Sequence, residues 1–146
     1  VLECVNKGLD IIHRDIERGL HHYPDKCFDY AILSQTLQTL KNPRQVFSEM
    51  LRVAQKVIVS FPNFAYWRCR ADLFFAGRAP RTKQLPFGWH DTPNIHFLSL
   101  KDFEDFCDEI GAKIEAKIPL IANRLSPVKF APNLFAEQAV YMTSRK

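Results

Sequence analysis

Residues 28–63 constrain the fold of this chain most, because they combine a strand, a helix and a second strand in the order of a parallel crossover unit. Residues 28–33 form a short apolar and aromatic run whose length suits a buried strand. Asn42 and Pro43 predict a helix start, and Gln45 stands where a capping box places Glu or Gln. Five apolar residues then share one helical face: Val46, Phe47, Met50, Leu51 and Ala54.

The second strand of this unit contains the run VIVSF and ends at Pro62. Two strands joined by a crossover helix run parallel, and ligands of such sheets bind beyond the carboxyl ends of the strands. Ser34, Gln35, Pro62 and Asn63 follow the two strands directly. We therefore expect these residues at the ligand-binding edge of an α/β sheet.

The composition limits the class of protein. The chain has 146 residues, of which 47% are hydrophobic, so one domain with a real core is expected, and twelve Phe predict an aromatic core. A net charge of +4 is low for a nucleic-acid binder, and no run is long enough to span a membrane. The four cysteines include no C-x-x-C pair, which argues against zinc and favours free thiols in a reducing cytoplasm.

The first residues predict the end of a helix and then a strand. Val1 to Lys7 resemble the last turns of an amphipathic helix stopped by Gly8, which suggests that a segment precedes them. Leu9 to His13 predicts a strand. Asp15 follows it, where a carboxylate either faces a ligand crevice or caps a turn, and the residues favour the cap.

The last third of the chain predicts a helix and two strands. Ser99 and Asp102 form a capping box before a helix that Gly111 closes. Its buried stripe is Leu100, Phe103, Phe106, Cys107 and Ile110. Residues 113–118 predict a strand with Ile114, Ala116 and Ile118 on one face, and residues 135–143 predict the last strand. The two strands are expected to pair antiparallel.

Residues 64–98 are unusually aromatic and basic. A helix is predicted from Ala65 to Ala76, with Gly77 as its stop, followed by a long loop rich in Pro and aromatic residues. One reading is a solvated helix face and a loop that covers the core. The other, which the residues support about equally, is a lid that carries a binding surface for an acidic ligand or a partner protein.

Two overlapping segments resemble one known family: LSQTLQTLKNPRQVFSEMLRVAQKVIVSFPN and SFPNFAYWRCRADLFFAGRAPRTKQLPFGWHDTPNIHFLSLKDFEDFC. Their core, FPN followed by GR-x-P-x-TK-x-LP and DTPNIH, is long and specific. The chain resembles the MetW family, methionine biosynthesis proteins built on a class I S-adenosylmethionine (SAM) methyltransferase fold. The resemblance implies an α/β, Rossmann-like fold in a single domain over residues 1–146, with a C-terminal antiparallel strand pair.

One part of the family pattern is absent from this sequence. Family members open with a strand and a glycine-rich turn, which lets the backbone approach the methionyl part of SAM. The five glycines of this chain stand far apart, and its first residue matches a point beyond that turn. We therefore expect a partial methyltransferase fold that lacks the first two strands and the glycine-rich turn, and weak or no SAM binding by this chain alone.

The resemblance also assigns roles to particular residues. In the general methyltransferase fold, Asp15 and Ile16 correspond to the turn that flanks the adenine of SAM. Ser34 and Gln35 correspond to the segment near the sulfonium and the methionyl end. Pro62 and Asn63 would face the place where a methyl acceptor or a lid sits. These are correspondences of position in the fold.

The long loop offers a set of polar and aromatic residues that could form a wall over the ligand edge: Trp89, His90, Asp91, Asn94 and His96. The alternative, which the residues slightly favour, is a loop that folds back and satisfies its own polar groups. His90 and His96 lack the spacing of a three-ligand set, so no metal is expected.

Two functions remain open at this point. The resemblance implies a partner or regulator of homoserine O-acyltransferase, and Trp67, Arg68, Arg70 and Arg78 would suit the interface, since aromatic residues and Arg are enriched at binding hot spots. The alternative is a SAM-dependent methyltransferase acting on a small molecule. No catalytic constellation is visible, although methyl transfer can proceed through proximity and alignment.

Overall fold

The computed structural model describes residues 6–8, 12, 14–121 and 126–146. The predicted strand at Leu9 to His13 and most of the predicted helix end at Val1 to Lys7 therefore lie outside the described residues.

The described residues form one sheet of four strands. Its strands are β1 (Phe28–Ser34), β2 (Ala54–Pro62), β3 (Ala112–Leu120) and β4 (Gln138–Arg145), in the order β1-β2-β4-β3. β1 and β2 pair parallel, while β4 pairs antiparallel with both β2 and β3. The predicted parallel unit and the C-terminal antiparallel pair are both confirmed.

Helix α1 (Pro43–Val53) connects the two parallel strands and begins as the sequence predicts. Oδ1 of Asn42 accepts a hydrogen bond from the backbone N–H of Gln45 at 3.3 Å. The side chain of Gln45 accepts from the side-chain amide of Asn42 at 3.2 Å, whereas the backbone N–H of Asn42 donates to Glu17, so the reciprocal bond of a capping box is not made. The apolar face of α1 is buried, and Ala54 ends the helix and opens β2.

Helix α2 (Trp67–Ala71) passes directly into a π-helical turn, Asp72–Ala76. Gly77 ends this segment with φ of 58°, a left-handed conformation that glycine adopts without steric cost. The predicted stop at Gly77 is therefore confirmed. The π turn shifts the angular phase of Phe74 relative to Trp67, so a simple helical spacing does not describe this segment.

Helix α3 (Leu100–Glu109) carries the complete capping box predicted from the sequence. Oγ of Ser99 accepts from the Asp102 N–H at 3.3 Å, and Oδ2 of Asp102 accepts from the Ser99 N–H at 2.8 Å. Gly111 follows with φ of 69°.

The start of the last strand differs from the prediction. Residues Pro132–Phe135 form a short helix, α4, in which the Ala136 N–H donates to the Pro132 carbonyl at 2.9 Å. Strand β4 therefore begins at Gln138 rather than at Phe135, because a residue held in a helical turn cannot pair in the sheet.

The predicted face of β3 also needs correction. A register shift falls between Ile114, which pairs with Thr143, and Ala116, which pairs with Met142. Since consecutive residues of β4 point to opposite faces, Ile114 and Ala116 lie on opposite faces of the sheet. Ile118 shares the face of Ala116 and is exposed.

The main core lies between one face of the sheet and helices α1 and α3, and it is aromatic as expected. The ring of Phe103 packs at 4.7 Å from Tyr141 and at 5.0 Å from Phe61, and Phe47 meets Phe103 edge-on at 5.7 Å. The Tyr141 hydroxyl donates to Glu104 at 2.7 Å, and burial together with this carboxylate raises the pKa of Tyr141. The opposite face of the sheet leaves apolar side chains exposed, Ile32 at 68% among them.

Replacing Tyr141 with Phe should lower the free energy of unfolding by about 1–2 kcal/mol, because it removes the hydroxyl that donates to Glu104 while the ring still fills the core. Phe103→Ala, which opens a cavity in the same cluster, should cost about 3–5 kcal/mol. Urea denaturation of the three proteins measures both changes. Equal stability of Tyr141→Phe and the unmodified chain would contradict the first expectation.

Candidate functional site

The carboxyl ends of β1 and β2 meet at one edge of the sheet, as the parallel pairing requires. Ser34 and Ser60 are register partners, and their hydroxyl oxygens lie 3.4 Å apart. The Gln35 N–H continues the pairing by donating to the Ser60 carbonyl at 2.9 Å. The predicted residues Ser34 and Gln35 therefore stand at this edge, with exposed side chains.

Gln35 has a left-handed backbone, with φ of 51°. This conformation is uncommon for a residue other than Gly, Asn or Asp, and such strain is found most often at functional sites. Its side-chain amide donates to Oε1 of Gln138 at 3.4 Å, which connects the end of β1 to the start of β4. The strained turn thus aims the Gln35 side chain across the edge of the sheet.

Gln38 is the central polar residue of the edge, and no role for it is predicted from the sequence. Its side chain is only 4% exposed, and its amide donates to the Gln35 carbonyl at 3.0 Å. The backbone carbonyl of Gln38 accepts from the N–H groups of Ile95 and His96, each at 3.0 Å. Oε1 of Gln38 has no hydrogen-bond partner among the described residues.

A cleft of about 340 Å³ opens at this edge, and we call it the edge cleft. Amide side chains and one cation line much of it: Gln35, Gln38, Lys83, Gln84, Asn94 and Gln138. Amides both donate and accept, so the lining can bind a polar ligand of either hydrogen-bonding sense. The sequence signal for these residues was available, since Gln38 follows Gln35 by three positions and Lys83 belongs to the TK-x-LP motif.

Of the five residues predicted to form a wall, the structure places Asn94 in the edge cleft. Nε2 of His96 instead contacts the Leu40 carbonyl at 2.8 Å, and its ring lines a separate apolar pocket of about 120 Å³ beside α3. Trp89 is 80% exposed, and His90 and Asp91 are exposed beside it. The structure does not bring these five residues together over the cleft.

Asn63 is buried and makes its hydrogen bonds within the protein. Its amide donates to the carbonyls of Asn133 and Ala136 at 3.0 and 2.8 Å, and its Oδ1 accepts from the Ala65 N–H at 3.0 Å. Pro62 is buried as well. Asn63 therefore joins the end of β2 to the approach of β4, rather than presenting its amide to a bound molecule.

Asp15 caps a single helical turn, Ile16–Arg18, as the residues favoured. Its Oδ1 accepts from the Glu17 N–H at 3.0 Å, and its Oδ2 lies 3.9 Å from Arg18. Asp15 also lines a cleft of about 510 Å³, in which the neighbouring His21 lowers the pKa of His22. Ile16 is half-buried and packs against the main core.

The predicted partner surface surrounds α2. Trp67 is half-exposed, and the Arg68 guanidinium lies 5.3 Å from the centre of its ring. Arg70 folds back, and its Nε donates to the Ala65 carbonyl at 2.7 Å. Arg78 follows Gly77 and therefore lies beyond the helix.

The cysteines and histidines that the structure describes are not grouped into a metal centre. No group of three His, Cys, Asp or Glu side chains within the described ranges could hold a metal ion. Burial raises the pKa of the Cys69 thiol to about 11 and that of Cys107 to about 12, so both thiols stay protonated at neutral pH. None of the helices formed by residues 6–8, 14–121 and 126–146 is long and apolar enough to cross a membrane.

Asn63→Ala should lower the free energy of unfolding by about 2–4 kcal/mol, because it leaves buried backbone groups without partners. Ser60→Ala is a matched control at the same edge, since the Gln35 N–H keeps its bond to the Ser60 carbonyl, and it should cost under about 1 kcal/mol. Chemical denaturation measures both. An Asn63→Ala variant as stable as Ser60→Ala would contradict this structural role of the amide.

Comparison with solved structures identifies the fold. A SAM-dependent methyltransferase from Thermotoga maritima, described as a possible histamine N-methyltransferase, superimposes with a TM-score of 0.66 at 16% identity, over 97% of this chain and 66% of that chain. The PH0226 protein from Pyrococcus horikoshii superimposes with a TM-score of 0.63 at 16% identity, over 99% and 64%. A SAM-dependent methyltransferase from Clostridium acetobutylicum gives 0.57 at 9% identity, over 99% and 68%. The chain thus has the class I SAM-methyltransferase fold.

Comparison of sequences identifies the family. A protein of Rhodopirellula baltica named bifunctional methionine biosynthesis protein MetXA/MetW is 35% identical over 150 residues, which span all of this chain and 24% of that protein. The family described as methionine biosynthesis protein MetW matches residues 1–143. Because this match covers nearly the whole sequence, the chain belongs to the MetW family of methionine biosynthesis proteins.

Proposed function

We propose that this chain acts in methionine biosynthesis as a partner or regulator of homoserine O-acyltransferase. Membership of the MetW family supports the pathway. The name of the Rhodopirellula baltica relative joins MetXA to MetW in one bifunctional protein, and two functions carried on one polypeptide favour physical association of the corresponding proteins elsewhere.

The observation that carries this proposal is the exposed aromatic and basic segment at α2, which we call the docking surface. It comprises Trp67, Arg68, Arg70, Leu73, Phe74, Phe75 and Arg78. Phe74 and Phe75 are each 83% exposed, and Leu73 is exposed with them. Contiguous exposed apolar residues with basic neighbours are typical of protein-binding sites, where aromatic residues and Arg supply most of the binding energy.

The basic residues of the docking surface give it a preference for acidic partners. Arg68 is held beside Trp67, and Arg70 uses its Nε in the contact with Ala65 while its terminal nitrogens remain available for a partner. Arg binds carboxylates through two parallel hydrogen bonds, which Lys cannot do. We therefore expect the acyltransferase to contribute carboxylates around an apolar centre.

Arg70→Glu should weaken a buried contact with the acyltransferase by about 2–5 kcal/mol, because it places a carboxylate where a cation is needed. Co-purification of the two proteins, combined with thermal melts, measures the loss. Lys101→Glu, an equal charge reversal at an exposed position of α3, is the control and should bind normally. A variant Arg70→Glu that melts and co-purifies like the unmodified chain would exclude this face as the interface and favour the lid reading of residues 64–98.

A second candidate function is SAM-dependent methyl transfer to a small molecule. The strained Gln35 and the unpartnered Oε1 of Gln38 at the edge cleft favour it, since both are features of ligand-binding sites. When bound, SAM would supply the methyl group. Ser34 and Gln35 would bind its methionyl end, Ile16 would pack near the adenine, and Asp15 would accept from the amine.

These residues fit SAM only in part. Asp15 lies in a cleft that shares no lining residue with the edge cleft, and one of its carboxylate oxygens already caps a helical turn. Ile16 packs into the core. The sequence also has no pair of neighbouring glycines to let the backbone approach the ligand.

Calorimetry with SAM should accordingly show weak or no binding to this chain, and tighter binding to a longer MetW protein that carries the glycine-rich turn. The longer protein is the matched reference because it differs from this chain in carrying the segment with the glycine-rich turn. Equally tight binding by both would show that the turn is dispensable, and would favour the enzymatic function.

A further inference from the structure

A second cavity lies next to the edge cleft, between α2 and the turn at Thr82–Leu85, and we call it the basic pocket. It has a volume of about 230 Å³. Its lining residues are Tyr66, Arg68, Arg81, Thr82, Lys83 and Glu137. Lys83 also lines the edge cleft, so the two cavities are neighbours.

The basic pocket is built on a fixed turn. Thr82 and Leu85 exchange backbone hydrogen bonds of 3.1 and 3.2 Å. Oγ1 of Thr82 also accepts from the Leu85 N–H at 3.2 Å. The Leu85 side chain is buried in a small cluster with Tyr66 and Cys69, which secures the turn against α2. The position of Lys83 on this turn is therefore set by packing.

Three cations face a single carboxylate in this pocket. The ring of Trp67 orients the Arg68 guanidinium, and Nη2 of Arg81 donates to the Pro86 carbonyl at 3.1 Å. The ion pairs found between described residues involve neither of these arginines nor Lys83. With Glu137 counted, the side chains of the pocket carry a net charge of +2.

Two neutral residues, Tyr66 and Thr82, complete the lining. The Thr82 hydroxyl can still donate, because its oxygen acts as the acceptor in the bond to Leu85. Burial raises the pKa of Tyr66, and the charge of Glu137 together with a hydrogen bond to this carboxylate raises it further, so the Tyr66 hydroxyl stays protonated and is engaged by Glu137. The pocket therefore offers two guanidinium groups, one ammonium group and the Thr82 hydroxyl to an anion.

We propose that the basic pocket binds the phosphate group of a small phosphorylated molecule, whose polar remainder extends past Lys83 into the edge cleft. A phosphate monoester carries a charge near −2 at neutral pH, which matches the charge of the pocket. Its three oxygens can accept paired hydrogen bonds from an Arg guanidinium and a further hydrogen bond from the Lys ammonium group. The amides of the edge cleft then bind the rest of the ligand by hydrogen bonds.

Calorimetric titration with inorganic phosphate at constant ionic strength tests this assignment. Arg81→Gln and Lys83→Gln should each weaken phosphate binding by about tenfold, which is the loss of one charge-assisted hydrogen bond. Arg81→Lys keeps the charge but loses the paired donors, and should fall between Arg81→Gln and the unmodified chain. Lys101→Gln removes a cation outside the pocket and should bind phosphate normally.

Both test positions are exposed, so the variants should fold, and thermal melts verify this. Arg68 is left unchanged because it also belongs to the docking surface, and the acyltransferase takes no part in the measurement. Unchanged phosphate binding by Arg81→Gln and Lys83→Gln would overturn the proposal. Equal binding of succinate would overturn the preference for phosphate, and equal effects of Lys101→Gln would show that general charge screening is responsible.

Discussion

The fold depends on the burial of one aromatic cluster between the sheet and its two long helices. Phe103 of α3 contacts Phe61 of β2 and Tyr141 of β4, and Phe47 of α1 closes the cluster from the other helix. Large aromatic side chains bury about 150–250 Å² each, so this cluster provides much of the driving force for folding. It also fixes the helices relative to β2 and β4, and hence the position of the sheet edge.

Polar groups then fasten the loops to this frame. A carboxylate oxygen of Glu17 accepts from the N–H groups of Lys41 and Asn42, at 2.5 and 3.0 Å. This contact joins the helical turn Ile16–Arg18 to the start of α1. Arg52 donates to Leu20 and Tyr23 carbonyls and pairs with Glu49, whose pKa is lowered by this contact. On the other side, the Gln38 carbonyl holds the backbone of the DTPNIH segment. These contacts place the long loop beside the ends of β1 and β2.

The three surfaces used in the proposals share a small part of the molecule. The edge cleft lies at the strand ends, the basic pocket adjoins it through Lys83, and the docking surface adjoins the basic pocket through Arg68. A ligand in either cavity would therefore lie near any partner bound at α2. This proximity gives a physical route by which a small molecule could regulate association, since a ligand that contacts Lys83 and Arg68 changes the charge available to the partner.

The sequence by itself determined the starts of the two long helices, the parallel strand pair and the family. Asn42, Pro43, Ser99 and Asp102 predict helix starts because capping is a short-range interaction, and β-branched strands joined by one helix predict a parallel pair. Long motifs such as DTPNIH were enough to indicate the MetW family.

Tertiary structure decided which side chains meet. Capping and periodicity do not report contacts between distant segments. The sequence therefore could not show that the Asn63 side chain donates hydrogen bonds to the carbonyls of Asn133 and Ala136, or that the His96 ring contacts the Leu40 carbonyl. For the same reason the bulge in β3 could not be predicted, because it depends on the register with β4. Nor could the convergence of Gln38, Lys83 and Gln138 on one cleft, because these residues come from three separate parts of the chain and are brought together by sheet pairing and loop packing.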